Sequence, residues 1–135
     1  MDEANSGWLC LNTDASILCT NGGGTIGGVL WDSSRAWLRG YCKCIDKAST
    51  IQAELWSIYV GLQVAWSFGT ARLVVQSDNS KDIKLVLDPF ALCHSMQLVR
   101  AIASWQFKHL SLDFQWIPHE MNMVVDRLSK MAPPP

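Results

Sequence analysis

With 135 residues, 49% of them hydrophobic and 17% charged, the chain has the size and apolar content of one globular domain, which excludes a disordered polar chain. Eleven Lys and Arg against twelve Asp and Glu leave a formal net charge of −1. That balance excludes a global positive field, so any binding to nucleic acid must be local or metal-mediated.

In chain order, "WLCLNTD" alternates and predicts a first strand ending at Asp14. "TIGGVLWD" and "AWLRGYCKC" predict a second and third strand, turned by residues 32–35 into an antiparallel meander. Gly22, Gly24 and Gly27 satisfy G-x-G-x-x-G, but a dinucleotide fingerprint needs a helix after the turn, and here a strand follows, so no nucleotide cofactor is expected. "IQAELWSIYVGLQVAW" predicts a helix over residues 51–68, closed by Gly69, with Leu55, Ile58, Leu62 and Ala65 as its apolar stripe. "RLVVQSD" reads as a fourth strand. A short helix over residues 80–87, broken by Pro89, and another over residues 96–108 precede a fifth strand, "LSLDFQW". A last helix is expected over residues 122–131. The order βββαβααβα predicts an α/β layer architecture, a single domain with its core at residues 8–131, a short acidic lead and a Pro-rich tail.

Five cysteines without a C-x-x-C pair point to reduced thiols rather than disulfides or zinc. No apolar run approaches ~18 residues and "MDEANSG" is unlike a secretory signal. A soluble intracellular protein with no membrane partner is expected, with nucleus and cytoplasm undistinguished.

Four acids stand out by position. Asp14 closes the first strand, Asp78 closes the fourth, Glu54 lies on or beside the apolar stripe of the long helix, and Asp126 lies in the last helix. If the first and fourth strands are parallel neighbours joined by a right-handed crossover, Asp14, Asp78 and Glu54 meet outside the carboxyl ends of the strands. Asp126 completes the set if the last helix covers that end. Taken singly, each acid has an ordinary reading: Asp14 as turn former, Asp78 as helix cap, Glu54 at a helix start, Asp126 paired with Lys130. Together they repel, by about 4 kcal/mol per pair at ~4 Å and an effective dielectric of ~20. Hard divalent cations with oxygen ligands answer that repulsion, and two such ions roughly 3.5–4 Å apart form the two-metal device of nucleases.

"LNTDAS", "IQAELWSIYVGLQVAW", "LVVQSDN" and "EMNMVVDRLSK" resemble the ribonuclease H type 1 domain, in particular its plant versions related to the reverse-transcriptase polyproteins of non-LTR retroelements. The resemblance runs from Trp8 to Met131. It implies an RNase H-like fold, a five-stranded mixed sheet in order 3-2-1-4-5 with strand 2 antiparallel, flanked by helices. It also implies endonucleolytic hydrolysis of the RNA strand of an RNA/DNA hybrid by a monomer using two Mg²⁺ ions, with Mn²⁺ as a substitute. Carried over by motif, Asp14 would bridge both ions, Glu54 and Asp78 would hold the ion nearer the leaving group, and Asp126 the ion that activates water. Main chain at Ala15 and Ser16, the Glu54 carboxylate and Asn79 would contact 2′-hydroxyls, the groups that distinguish RNA from DNA.

The sequence departs from the family pattern in three places. Ala15 follows Asp14 where the family commonly has glycine, and "DPFALCHSMQLVRAIASW" carries only Arg100 as a permanent cation where some relatives have a basic protrusion. The loop histidine expected ten residues before the last aspartate is Trp116, while His119 stands where plant relatives usually carry arginine. His119 is read as an exposed loop histidine, with a reach into the site from the Pro118 loop as the alternative catalytic role. The competing function is a retroelement-derived nucleic-acid-binding module with weak or no catalysis.

Overall fold

The computed structural model describes residues 8–17, 23–108 and 111–122. Strands β1 (Leu9–Ile17), β2 (Gly24–Trp31) and β3 (Trp37–Ile45) lead into helix α1 (Thr50–Ser67), followed by β4 (Arg72–Ser77), α2 (Ser80–Leu87), α3 (Gln97–Ser104) and β5 (Ser111–Trp116). The sheet order is β3-β2-β1-β4-β5. β2 pairs antiparallel with β1 and β3, while β1–β4 and β4–β5 are parallel, so β2 alone runs against the rest. This is the RNase H-like topology that the sequence motifs imply.

Local chemistry sets the joints. Asp32 Oδ1 accepts from the main-chain N–H of Ser34 and of Ala36, both at 2.8 Å, closing the β2–β3 turn. Ser49 and Gln52 cap α1 reciprocally: the Ser49 hydroxyl accepts from the Gln52 N–H and the Gln52 side chain accepts from the Ser49 N–H. At the other end Gly69 takes a φ of 76°, a left-handed conformation that glycine adopts without a Cβ penalty.

One face of the sheet, through Leu11, Leu30, Leu73 and Val75, packs against Leu55, Ile58, Leu62 and Ala65 of α1 and Val99 and Ile102 of α3. Helix and sheet approach closely at Gly61, where a Cβ would stand 2.5 Å from Leu11 Cδ2. Polar ties accompany that approach. Tyr41 Oη donates to the Ser57 carbonyl, and Ser57 Oγ donates to the Gly27 carbonyl at 2.8 Å.

The structure corrects three expectations. β1 does not end at Asp14 but continues to Ile17, because β2 goes on pairing with it after the parallel ladder to β4 has stopped at Thr13–Ser77. The helix expected over residues 96–108 is α3 followed by a 3₁₀ turn at Trp105–Phe107. There Ser104 Oγ donates to the Ala101 carbonyl at 2.7 Å, a local bond that competes with the helical ladder. The cap of α2 is Asn79 rather than Asp78. Gly24 and Gly27 lie within β2, with no helix after them, while Gly22 lies outside the described residues. Residues 123–131 of the expected last helix also lie outside the described residues, and Asn122 belongs to a 3₁₀ turn, His119–Asn122. Among the described residues no helix is long and apolar enough to cross a membrane.

Candidate metal centre

Asp14 sits one residue beyond the last β1–β4 pair, and Asp78 directly follows β4, so the parallel register brings both to the same end of the sheet. Glu54 arrives from the first turns of α1, on the face that also carries Ala53, Leu55 and Ile58 into the core. One carboxylate oxygen from each of Asp14, Glu54 and Asp78 lies within 4.8 Å of the other two. Three of the four predicted acids are therefore together, and the fourth, Asp126, lies outside the described residues.

Glu54 is only 5% exposed, and its Oε2 has no hydrogen-bond partner among the described residues. Burial, then the neighbouring carboxylates of Asp14, Asp82 and Asp78, push its carboxyl up to about 9, against a smaller opposing pull from the Ala15 main-chain N–H. An orphaned, buried carboxylate oxygen facing two other carboxylates is a donor set that fits a hard divalent cation, which takes oxygen ligands and supplies the missing positive charge.

Asp78 is held from several sides. Ile117 N donates to the Ser77 carbonyl at 2.9 Å, and Trp116 Nε1 donates to the Asp78 carbonyl at 3.0 Å. His119 Nδ1 lies 2.6 Å from Asp78 Oδ2 while its side chain stays 63% exposed. His119 is thus an exposed residue whose ring lies against one of the acids. Trp116, in the register expected to hold a histidine, contacts the site through its indole N–H.

The predicted substrate-contact residues are partly engaged within the protein. The Ala15 N–H donates to Asp14 Oδ1 at 2.9 Å, and Asn79 Oδ1 accepts from the Asp82 N–H at 3.1 Å. Ser16 is half-buried in β1, opposite Thr25.

Two residues were missed by sequence reasoning. Asn122 is buried and its Nδ2 donates to the Thr13 carbonyl at 2.8 Å, fastening the His119–Asn122 turn to β1 beside Asp14. In the sequence it stands only as the first residue of the expected last helix. Removing this tie in Asn122→Ala is expected to cost about 1 kcal/mol, read from urea denaturation. Asp82 is fully buried in the first turn of α2, and its place between Lys81 and Lys84 in the sequence gives no sign of that.

The profile of a family described as reverse transcriptase-like matches residues 12–132 of the chain. An Arabidopsis thaliana protein provisionally named a ribonuclease H protein is 30% identical over 127 residues, 93% of this chain. The chain spans only 20% of that relative's length. Among solved structures, the N-terminal RNase H domain of a Mycobacterium tuberculosis protein superposes with a TM-score of 0.81 at 20% identity, covering 93% of each chain. RNase H1 of Halobacterium salinarum gives a TM-score of 0.80 at 19% identity over 93% of this chain and 97% of that one. LC11 RNase H1, isolated from compost and solved with an RNA/DNA hybrid, gives 0.80 at 19% over 92% and 95% of the two chains. At such identities the likeness is one of fold.

Proposed function

We propose, from the premise that this chain belongs to the reverse transcriptase-like family and has the RNase H-like fold, that it hydrolyses the RNA strand of RNA/DNA hybrids with Mg²⁺ as cofactor. The observation that carries this reading is the meeting of Asp14, Glu54 and Asp78, drawn from three separate segments, within 4.8 Å. Mutually repelling carboxylates have no structural benefit to offer there without a cation.

Asp14, Glu54 and Asp78 would hold the metal, with Asp126 assigned by its motif alone. The bound ions would activate water and stabilise the leaving oxygen. The chain's own residues do the positioning. Trp116 and His119 fix the main chain and the side chain of Asp78, and the Ala15 N–H orients Asp14. RNA selectivity is assigned to main chain at Ala15 and Ser16, the Glu54 carboxylate and Asn79 meeting a 2′-hydroxyl. Because the Asn79 oxygen caps α2, its amide N–H groups are the donors for that contact.

A second reading, a hybrid-binding module with little turnover, is favoured by one observation: Asp78 Oδ2 is already taken by His119 at 2.6 Å, so an incoming ion must compete with the ring. Incubating purified protein with labelled RNA/DNA hybrid, RNA duplex and DNA duplex in Mg²⁺ decides between them. The expected result is hybrid-only cleavage, lost in Asp14→Asn. Binding without cleavage supports the second reading, and cleavage by Asp14→Asn at the wild-type rate defeats the first.

A further inference from the structure

Among the described residues the exposed tryptophans are Trp37, Trp56, Trp66 and Trp116. The first three each rest on another aromatic ring, Trp37 on Trp31, Trp56 on Tyr59 and Trp66 on Trp105, with centroids 5.7, 5.9 and 5.7 Å apart. Trp116 has no ring against it among the described residues. It stands 53% exposed at the end of β5, and its indole N–H, the only polar group of the side chain, donates to the Asp78 carbonyl at 3.0 Å. What it leaves in water is therefore hydrocarbon ring, held at the rim of the acidic cluster to which Asp78 belongs. The segment that follows is fastened as well, by the Ile117 N–H to the Ser77 carbonyl at 2.9 Å and by Asn122 to the Thr13 carbonyl at 2.8 Å.

Folding gains nothing from the exposed half of that ring. Its natural cover is flat, apolar on its faces and carried by the molecule that the acids act on. A nucleobase meets all three conditions. Bases stack on aromatic side chains whatever their sequence, and one such contact is worth about 5- to 150-fold in affinity. A chain of net charge −1 has little electrostatic hold on a polyanion to offer instead. Inside a duplex the faces of the bases are already covered by their neighbours, so only a base outside the paired stack can lie on Trp116.

We infer that Trp116 is a stacking platform for an unpaired base of the RNA strand beside the cut, so that the favoured substrates are hybrids that pass into single-stranded RNA next to the cleaved bond. The RNA strand is the one concerned because its phosphate is the group brought to Asp78, whose carbonyl anchors the ring. This deepens, and rests on, the nuclease reading above.

The test compares one RNA/DNA hybrid made blunt, with a short unpaired RNA tail at its 5′ or its 3′ end, and with the same tails made abasic. Binding is read by fluorescence anisotropy in chelator and cleavage by kcat/KM in Mg²⁺, for wild type, Trp116→Ala and Trp116→Phe. Wild type is expected to bind one of the tailed hybrids about 5- to 150-fold more tightly than the blunt one, and to lose that preference when the tail is abasic. Trp116→Ala is expected to abolish the preference, and Trp116→Phe, which keeps an aromatic face, to retain most of it. Because the readout is a ratio within each protein, a general loss from the missing tie to Asp78 cancels. Equal binding of blunt and tailed hybrids by wild type overturns the inference, as does a preference that survives the abasic tail or Trp116→Ala. A preference lost as fully in Trp116→Phe as in Trp116→Ala also overturns it, since the indole N–H rather than the ring would then be responsible. A tail preference in binding without cleavage of any hybrid would defeat the nuclease reading and leave the stacking contact standing.

Discussion

Glu54→Gln is expected to flatten the pH dependence of stability of the metal-free protein and to remove its stabilisation by Mg²⁺. The Glu54 carboxyl titrates near 4.5 in the ordinary state and is pushed up to about 9 in the fold, by burial and then by the surrounding acids. Between those values the folded chain holds a proton that the unfolded chain has released, so stability is fully present below about 4.5 and declines as pH rises toward about 9. This is the reverse of the usual carboxylate, whose pairing lowers its pKa. Asp82, pushed up to about 7 by burial, adds a smaller decline in the same direction. A divalent cation favours the ionised acids, so its stabilising effect should grow over the range where the apo protein weakens. Thermal melts from pH 5 to 9, with chelator or with Mg²⁺, check this. A slope in Glu54→Gln as steep as in wild type would refute the assignment. In the hybrid assay the same variant is expected to lose at least about 100-fold in rate, on the order of 3 kcal/mol of transition-state stabilisation.

The second large effect is mechanical. Gly28→Ala would drive a Cβ into Cε1, Cζ and the hydroxyl oxygen of Tyr41, so the ring must shift to make room. From β3 the ring reaches over Gly28 of β2 to α1, where its hydroxyl donates to the Ser57 carbonyl. Overpacking at such a site costs about 1–3 kcal/mol, and loss of the displaced hydroxyl's bond about 1 more. We expect a total of about 2–4 kcal/mol from urea denaturation. In a Tyr41→Ala background the same change should cost far less, since the clash and the ring leave together. Equal costs in both backgrounds would show that the ring is not the obstacle.

Much of the frame was legible because local chemistry and periodicity agreed. The apolar stripe marks α1 and Gly69 its end, and the alternating strands and the position of Glu54 on or beside that stripe follow from spacing alone. What escaped were features decided by pairing and by tertiary approach. Asp14 lies within a strand because β2 outlasts β4 as a neighbour, which no property of "LNTDAS" encodes. Asp82 was hidden because its flanking lysines give no sign that the first turn of α2 buries it. The reach of His119 to Asp78 depends on a 3₁₀ turn pinned by Asn122, a residue whose burial the linear pattern does not reveal.

The parallel joint between β1 and β4 has a consequence for biogenesis. It brings together residues 64 positions apart, as in the Asn12–Gln76 bond, so Asp14 waits for Asp78 through the synthesis of the meander and the whole crossover helix. On the ribosome, the β1–β2–β3 hairpins emerge before β4 and can begin to order first, while Asp14, Glu54 and Asp78 can gather only after β4 has left the exit tunnel. A nascent chain that stops short of β4 therefore carries strands but not the acidic cluster, whose three members come together only when the parallel ladder can form.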